Sequence, residues 1–177
     1  MKISKIETFA TSLQKFYFNS EEIQPLLNEM IDKKEDIKKR SYFYNMQNQD
    51  YGKEYYTDYG NPVKLHEYEK LMFMIANFYR DKNFNVFHYW SALYYQNSWH
   101  ETHVHSNPKY NFSSILYLTN NTGGTSFYSP NLTSETEKHI EMSEVGKLVI
   151  FPASLLHSAY HKDDSERIII SSNLSIV

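Results

Sequence analysis

The sequence contains no cysteine. Disulfides, cysteine-bound zinc, iron–sulfur clusters and thiol nucleophiles are thereby excluded. Any bound metal must rest on His, Asp, Glu and water. No apolar run approaches the roughly eighteen residues that span a bilayer. The opening "MKISKIETFATSLQ" lacks the apolar core of a secretion signal, so a cytoplasmic protein is expected. Positive charge is not in excess either. The net charge of −3 removes the bulk attraction that drives nucleic-acid binding. The stretch "DKKEDIKKR" (Asp32–Arg40) is locally basic and reads as a solvated helix end. No glycine loop cradles a phosphate, because "NTGGTS" lacks the lysine and the glycine spacing. Internal repeats, low-complexity linkers and a nucleophilic serine elbow are also missing.

What is present fits one α+β domain. A chain of 177 residues can bury one real core. Lys5–Phe18 reads as extended. Ser20, followed by Glu21 and Glu22, supplies a capping hydroxyl and an acidic first turn. Ile23, Leu26, Leu27, Met30 and Ile31 then recur at helical spacing. The basic run at Lys38–Arg40 suits the end of that helix. Ser41–Asn61 is polar and Tyr-rich and reads as a long loop. Pro62 is placed to open a second helix. Its apolar stripe is Leu65, Tyr68, Leu71, Met72, Ile75 and Phe78.

From Asn85 onward the segments are short and β-rich: "VFHYWSALYYQN", "NFSSILYLTN", "TSFYSP", "KHIEM", "KLVIFP", "SAYHK" and "RIIISSNLSIV". Turn signals separate them at Asn107-Pro108, Gly123-Gly124, Pro130, Gly146 and Pro152. This pattern predicts an antiparallel jelly roll. The expected organisation is a single domain over residues 1–177. Residues 1–84 form a strand and two helices packed on one sheet, and residues 85–177 form the jelly-roll core.

"HETHVHSNPKY" places His100, His103 and His105 close together. Residues two apart on a strand share a face, so the His103 and His105 imidazoles can converge on one ion. Glu101 shares that parity and His100 does not. A third ligand must come from elsewhere, and His157, after the apolar run "KLVIFP", is the candidate. His161 is its rival. His66, His88 and His139 have no partner pattern and read as structural or exposed. Arg167 enters the last strand, where a buried guanidinium needs an anionic partner. A dicarboxylate would suit its planar fork.

The order His-x-His, Gly-Gly-x-x-Phe, Gly-x-Leu-x-x-Phe-Pro, His, Arg resembles the iron(II)- and 2-oxoglutarate-dependent oxygenases. The likeness is to small oxygenases of marine bacteria and phages and to prolyl-hydroxylase-like members. It covers about Trp90 to Val177. Trp90 fits a family Trp ahead of the first ligand, Ser113–Leu118 loosely fits a family strand, and Arg167 through Asn173 fits the family's last strand. The resemblance implies a double-stranded β-helix, with His103, His105 and His157 binding Fe(II). Arg167 and Tyr117 would hold the distal carboxylate of 2-oxoglutarate. It implies a dioxygenase, most simply a hydroxylase, that releases succinate and carbon dioxide. The substrate would be a small molecule or a peptide, with Trp99 and His100 as candidate contacts. His105 stands where most of the superfamily has Asp or Glu, so Glu101 is an alternative ligand. Ile169 replaces a Ser expected two residues after the Arg. A halogenase is not what this likeness leads one to expect, because His105 would fill the position that admits halide. Two other readings stay open: a cupin-type three-histidine metalloenzyme that does not use 2-oxoglutarate, and a non-catalytic jelly-roll binding module.

Overall fold

The computed structural model describes residues 1–8, 11–45, 55–105, 107–129 and 138–177. The Pro130 turn and much of the Ser41–Asn61 loop lie outside these residues. The described elements are β1 (Lys2–Thr8), β2 (Thr11–Tyr17), α1 (Ser20–Asn45), β3 (Tyr55–Thr57), α2 (His66–Phe78), β4 (Phe84–Tyr94), β5 (Trp99–His103), β6 (Phe112–Tyr117), β7 (Gly124–Tyr128), β8 (Lys138–Met142), β9 (Lys147–Pro152), β10 (His157–Tyr160) and β11 (Arg167–Ile176). No helix among them is long and apolar enough to cross a membrane.

The strands form two antiparallel sheets. One has seven strands in the order β1-β2-β9-β6-β11-β4-β3, and the other has four in the order β5-β10-β7-β8. Alternation along each strand sorts side chains to two faces. On one face of the larger sheet, Leu93, Leu116, Leu148, Ile150 and Ile170 cluster with Ile23, Leu26 and Met30 of α1 and Tyr68, Leu71 and Ile75 of α2. On the other face, Ala92, Tyr94, Ile115, Tyr117, Val149, Phe151 and Ile169 meet Phe127 and Ala159 of the smaller sheet. The result is a β-sandwich with a second core outside it.

Several expectations are corrected. The extended N-terminal stretch is a hairpin of two strands, and β2 pairs with β9. The cap of α1 is Asn19 rather than Ser20. The Glu22 N–H donates to Asn19 Oδ1 at 2.9 Å, and the Asn19 N–H donates to Glu22 Oε2 at 2.8 Å. This is a reciprocal capping box. The helix runs past Arg40 to Asn45 and has no basic residue in its last turn. Ile31 faces solvent, and Phe78 is half exposed. α2 begins at His66, not Pro62, because its free N–H groups find a distant acceptor. Those of His66 and Glu67 both donate at 2.8 Å to the Glu29 carboxylate of α1. That bond spans the two helices and leaves no local capping signature.

Candidate metal centre and anion pocket

The three candidate ligands meet at one end of the sandwich. β5 and β10 pair in a register that sets His103 opposite His157. His105 lies just past the end of β5, and its N–H donates to Ala153 O at 2.8 Å. Shared strand parity therefore did not place His105; a backbone bond to the segment after β9 did. One ring nitrogen from each of His103, His105 and His157 falls within a 4.8 Å group.

Backbone carbonyls orient two of the rings. His103 Nδ1 lies 2.8 Å from Glu101 O, and His157 Nδ1 lies 2.8 Å from Leu155 O. A ring nitrogen beside a carbonyl must carry the proton, which leaves Nε2 with its lone pair free for a metal. Burial, then the neighbouring imidazole of His103, holds His157 well below its ordinary pKa and brings His105 to about 4. Burial also lowers His103. All three are neutral at pH 7, as ligation requires. Glu101 contributes a carbonyl to this arrangement, and its side chain is exposed. His100 packs 4.2 Å from the His103 ring, and burial brings it to about 3. His161, the rival, is held elsewhere by Asp163 and the Ser165 carbonyl. His88 stacks on Trp90, His66 sits beside Glu69, and His139 sits beside Glu141.

A narrow cavity of about 30 Å³ borders the three ligands, Trp90, Tyr94 and Thr125. Outside it opens a cleft of about 200 Å³ lined by Tyr55, Tyr59, Trp90, His100 and Glu101. Trp99 is exposed on β5 and borders neither space. A larger groove of about 530 Å³ lies between α2 and β4, away from the three ligands.

Behind Tyr94 and Thr125 lies Arg167, fully buried. Its Nε donates to Ser143 Oγ at 3.0 Å and its Nη2 to Thr125 Oγ1 at 3.1 Å. Its Nη1 is buried without a hydrogen-bond partner. The guanidinium lies 4.8 Å from the Tyr94 ring centre and 5.6 Å from that of Tyr117. The Tyr117 hydroxyl donates to the same Thr125 oxygen at 2.9 Å. Burial pushes Tyr117 up to about 12, against the pull of Arg167, so it stays a donor. Arg167 makes no ion pair among the described residues. An unsatisfied buried cation edge is costly, and a carboxylate is the group that would satisfy it.

Further polar residues share this end of the core, and inspection of the sequence alone passed over them. Lys15 and Lys147 point inward from β2 and β9, both nearly fully buried. Their Nζ atoms lie 2.6 Å from Glu141 Oε2 and 2.7 Å from Glu141 Oε1, respectively. Burial pushes the Glu141 carboxyl up, but hydrogen bonds from Lys147, Lys15 and His139 outweigh it and leave it below its ordinary range. Strand parity held the signal: Lys15 follows inward Leu13 by two, and Lys147 precedes inward Val149 by two.

No protein-family model matches the sequence, and no curated protein sequence does. Solved structures do match. A Pseudomonas putida prolyl-4-hydroxylase superposes with a TM-score of 0.63 at 12% identity, covering 92% of this chain and 91% of that one. The viral collagen prolyl hydroxylase of Paramecium Bursaria Chlorella virus-1, in complex with 2OG, gives 0.58 at 16% identity over 97% and 94%. HygX from Streptomyces hygroscopicus, with nickel and 2-oxoglutarate bound, gives 0.62 at 7% identity over 93% and 83%. The two facing sheets thus form a jelly roll, and the chain has the fold of these solved structures.

Proposed function

We propose that the protein is an Fe(II)- and 2-oxoglutarate-dependent dioxygenase that hydroxylates a small-molecule or peptide substrate. The observation that carries this reading is the joint occurrence of two features. Three neutral imidazoles converge at one end of the roll, and a buried guanidinium with an unpartnered Nη1 lies behind them. The first suits a divalent transition metal and the second suits a carboxylate. His103, His105 and His157 would hold the iron. Arg167 would pair with the far carboxylate of 2-oxoglutarate, with Tyr117 as a neighbouring donor. Bound together, iron and 2-oxoglutarate supply an oxidant for a C–H bond, with dioxygen consumed and succinate and carbon dioxide released.

The chain's own residues do the rest. The Glu101 and Leu155 carbonyls fix the tautomers of His103 and His157. Tyr94, Trp90 and Phe151 wall the cavity and exclude water, which strengthens every electrostatic contact inside. The outer cleft, lined by Tyr55, Tyr59 and His100, would receive the substrate. Residues 1–177 are read as one folding unit, because β2 pairs with β9 and sends Lys15 into the same core.

The test is an anaerobic titration of the metal-free protein with Fe(II), then 2-oxoglutarate, followed by visible absorption. A charge-transfer band should develop, vanish in His157→Ala and move to higher 2-oxoglutarate in Arg167→Ala. Iron binding without the band would indicate a cupin-type enzyme. No iron binding at all would leave a binding module.

A further inference from the structure

Arg167 has no carboxylate partner among the described residues, although Glu141 lies across the β7–β8 pairing from one of its hydrogen-bond partners. The β7–β8 register sets Thr125 opposite Glu141. Directly opposed residues of an antiparallel pair put their side chains on one face, about 5 Å apart at Cβ. Thr125 Oγ1 is the atom that accepts from Arg167 Nη2 at 3.1 Å. Glu141 therefore stands beside the guanidinium's own hydrogen-bond partner. A forked Arg–carboxylate pair is the strongest contact open to it there. Even so, both Glu141 oxygens are engaged by lysines, and neither pairs with Arg167 among the described residues. Lys15 takes Oε2 at 2.6 Å and Lys147 takes Oε1 at 2.7 Å. His139 adds a contact to Oε2 at 3.2 Å.

The two lysines come from the far side of the sheet. In the strand order β2-β9-β6-β11, the strand of Tyr117 separates theirs from that of Arg167. The Tyr117 ring has Lys147 Nζ at 5.5 Å and the Arg167 guanidinium at 5.6 Å. Lys147 also lies 3.6 Å from Oε2 of the exposed Glu144. The two buried ammonium groups thus converge on Glu141 with a further carboxylate at hand, which is more than holding Glu141 needs, and each buried charge is costly. A core that needed only balance would pair Glu141 with Arg167 and place apolar side chains at 15 and 147.

We propose that Lys15 and Lys147 are positioning residues that clamp the Glu141 carboxylate away from Arg167, which keeps that guanidinium open to a dicarboxylate co-substrate. The inference rests on the proposed function for the identity of the dicarboxylate. Loosening the clamp lets Glu141 turn to Arg167 and compete with the co-substrate as an internal anion.

Two measurements test it on the full chain: 2-oxoglutarate affinity of the iron-loaded protein by anaerobic calorimetry, and crystal structures without 2-oxoglutarate. Lys147→Met should weaken 2-oxoglutarate by about tenfold or more, and its crystals should show a Glu141 oxygen within hydrogen-bond distance of Arg167 Nη1. Adding Glu141→Gln should bring affinity back to within about threefold of native, because a neutral amide cannot compete as an anion. A lysine that merely supports the fold predicts no such rescue. Lys15→Met gives the same comparison should Lys147→Met fail to fold. Unchanged affinity in the lysine variants, loss that Glu141→Gln does not restore, or a Glu141 that stays put would each overturn the clamp. If the native protein binds no 2-oxoglutarate, the proposed function fails instead. The crystals alone then judge whether the lysines hold Glu141 off Arg167.

Discussion

Replacing Arg167 by Met separates the anion site from the fold. The guanidinium is fully buried and donates to Ser143 and Thr125. Hydrogen bonds from a charged group are worth about 1.5–3 kcal/mol each. Against them stands a desolvation cost of several kcal/mol for the buried ion. Met fills much of the same volume, and Thr125 keeps its bond from Tyr117. The two contributions nearly cancel, so the ligand-free variant should lie within about 2 kcal/mol of native stability. Ligand linkage behaves differently. At one hundred times its Kd, 2-oxoglutarate stabilises the iron-loaded native protein by about 2.7 kcal/mol. For a chain of this size that is a rise of about 5–10 °C in Tm. Removing one partner of a buried charge pair costs about 2–5 kcal/mol of binding. A loss near 3 kcal/mol leaves a rise under about 2 °C at the same concentration. Differential scanning fluorimetry on anaerobic samples reads both quantities. An Arg167→Met variant that keeps more than half of the native rise would refute the assignment of Arg167 as the carboxylate partner. One that is unfolded without ligand would refute the cancellation.

Other outcomes follow from the same geometry. His105→Asp should still bind iron, since a carboxylate there restores a common ligand set, while His157→Ala should lose it; metal analysis after desalting decides. If Glu101→Ala, rather than His157→Ala, empties the site, the three-histidine set is wrong. The metal-free protein should also lose stability in acid. His100, His103, His105 and His157 each have a folded pKa below the unfolded value, so the unfolded chain binds more protons. Stability from these groups is whole above about pH 6.5 and falls as pH drops towards the folded values, about 4 for His105 and about 3 for His100. Tm of the metal-free protein should decline steadily from pH 6.5 to 4, and a flat profile would contradict the buried neutral imidazoles. Gly146 has φ +80, and a Cβ there would lie 2.7 Å from Phe18 O. Gly146→Ala should cost about 2 kcal/mol or more, read as a lower urea midpoint.

The strands after Asn85 were legible because they are short, rich in β-branched and aromatic residues, and punctuated by turn residues. β6, β9 and β11 are buried on both faces, so alternation was no guide there. His103, His105 and His157 were legible as a group because metal chemistry restricts residue type more than position. The helix boundaries were not legible. α2 starts where Glu29 of another helix receives its N–H groups, and nothing adjacent in sequence signals that. Lys15 and Lys147 escaped for a related reason. Lysine in a strand normally faces water, and only the β8 register, which delivers Glu141 between them, makes their burial tolerable. Tyr94 was overlooked in a run of aromatics. Its importance comes from lying opposite Arg167 in the β4–β11 pairing.

The position of β11 in the larger sheet bears on how the chain can fold while it is being made. β11 lies between β4 and β6, and it is the last of the described strands in chain order. A ribosome that has delivered β4, β6 and β9 has built both flanks of a sheet whose middle strand is still missing. β6 can pair with β9 and β4 with β3, but the inner edges of β6 and β4 have no partner and stay open to neighbouring chains. Closure must come as one late event that joins segments far apart in sequence, a topology that folds slowly and exposes unpaired edges meanwhile. The same event carries Arg167, the first residue of β11, into the core. Before it the anion pocket does not exist, so assembly of the sheet and acquisition of the co-substrate site are a single step.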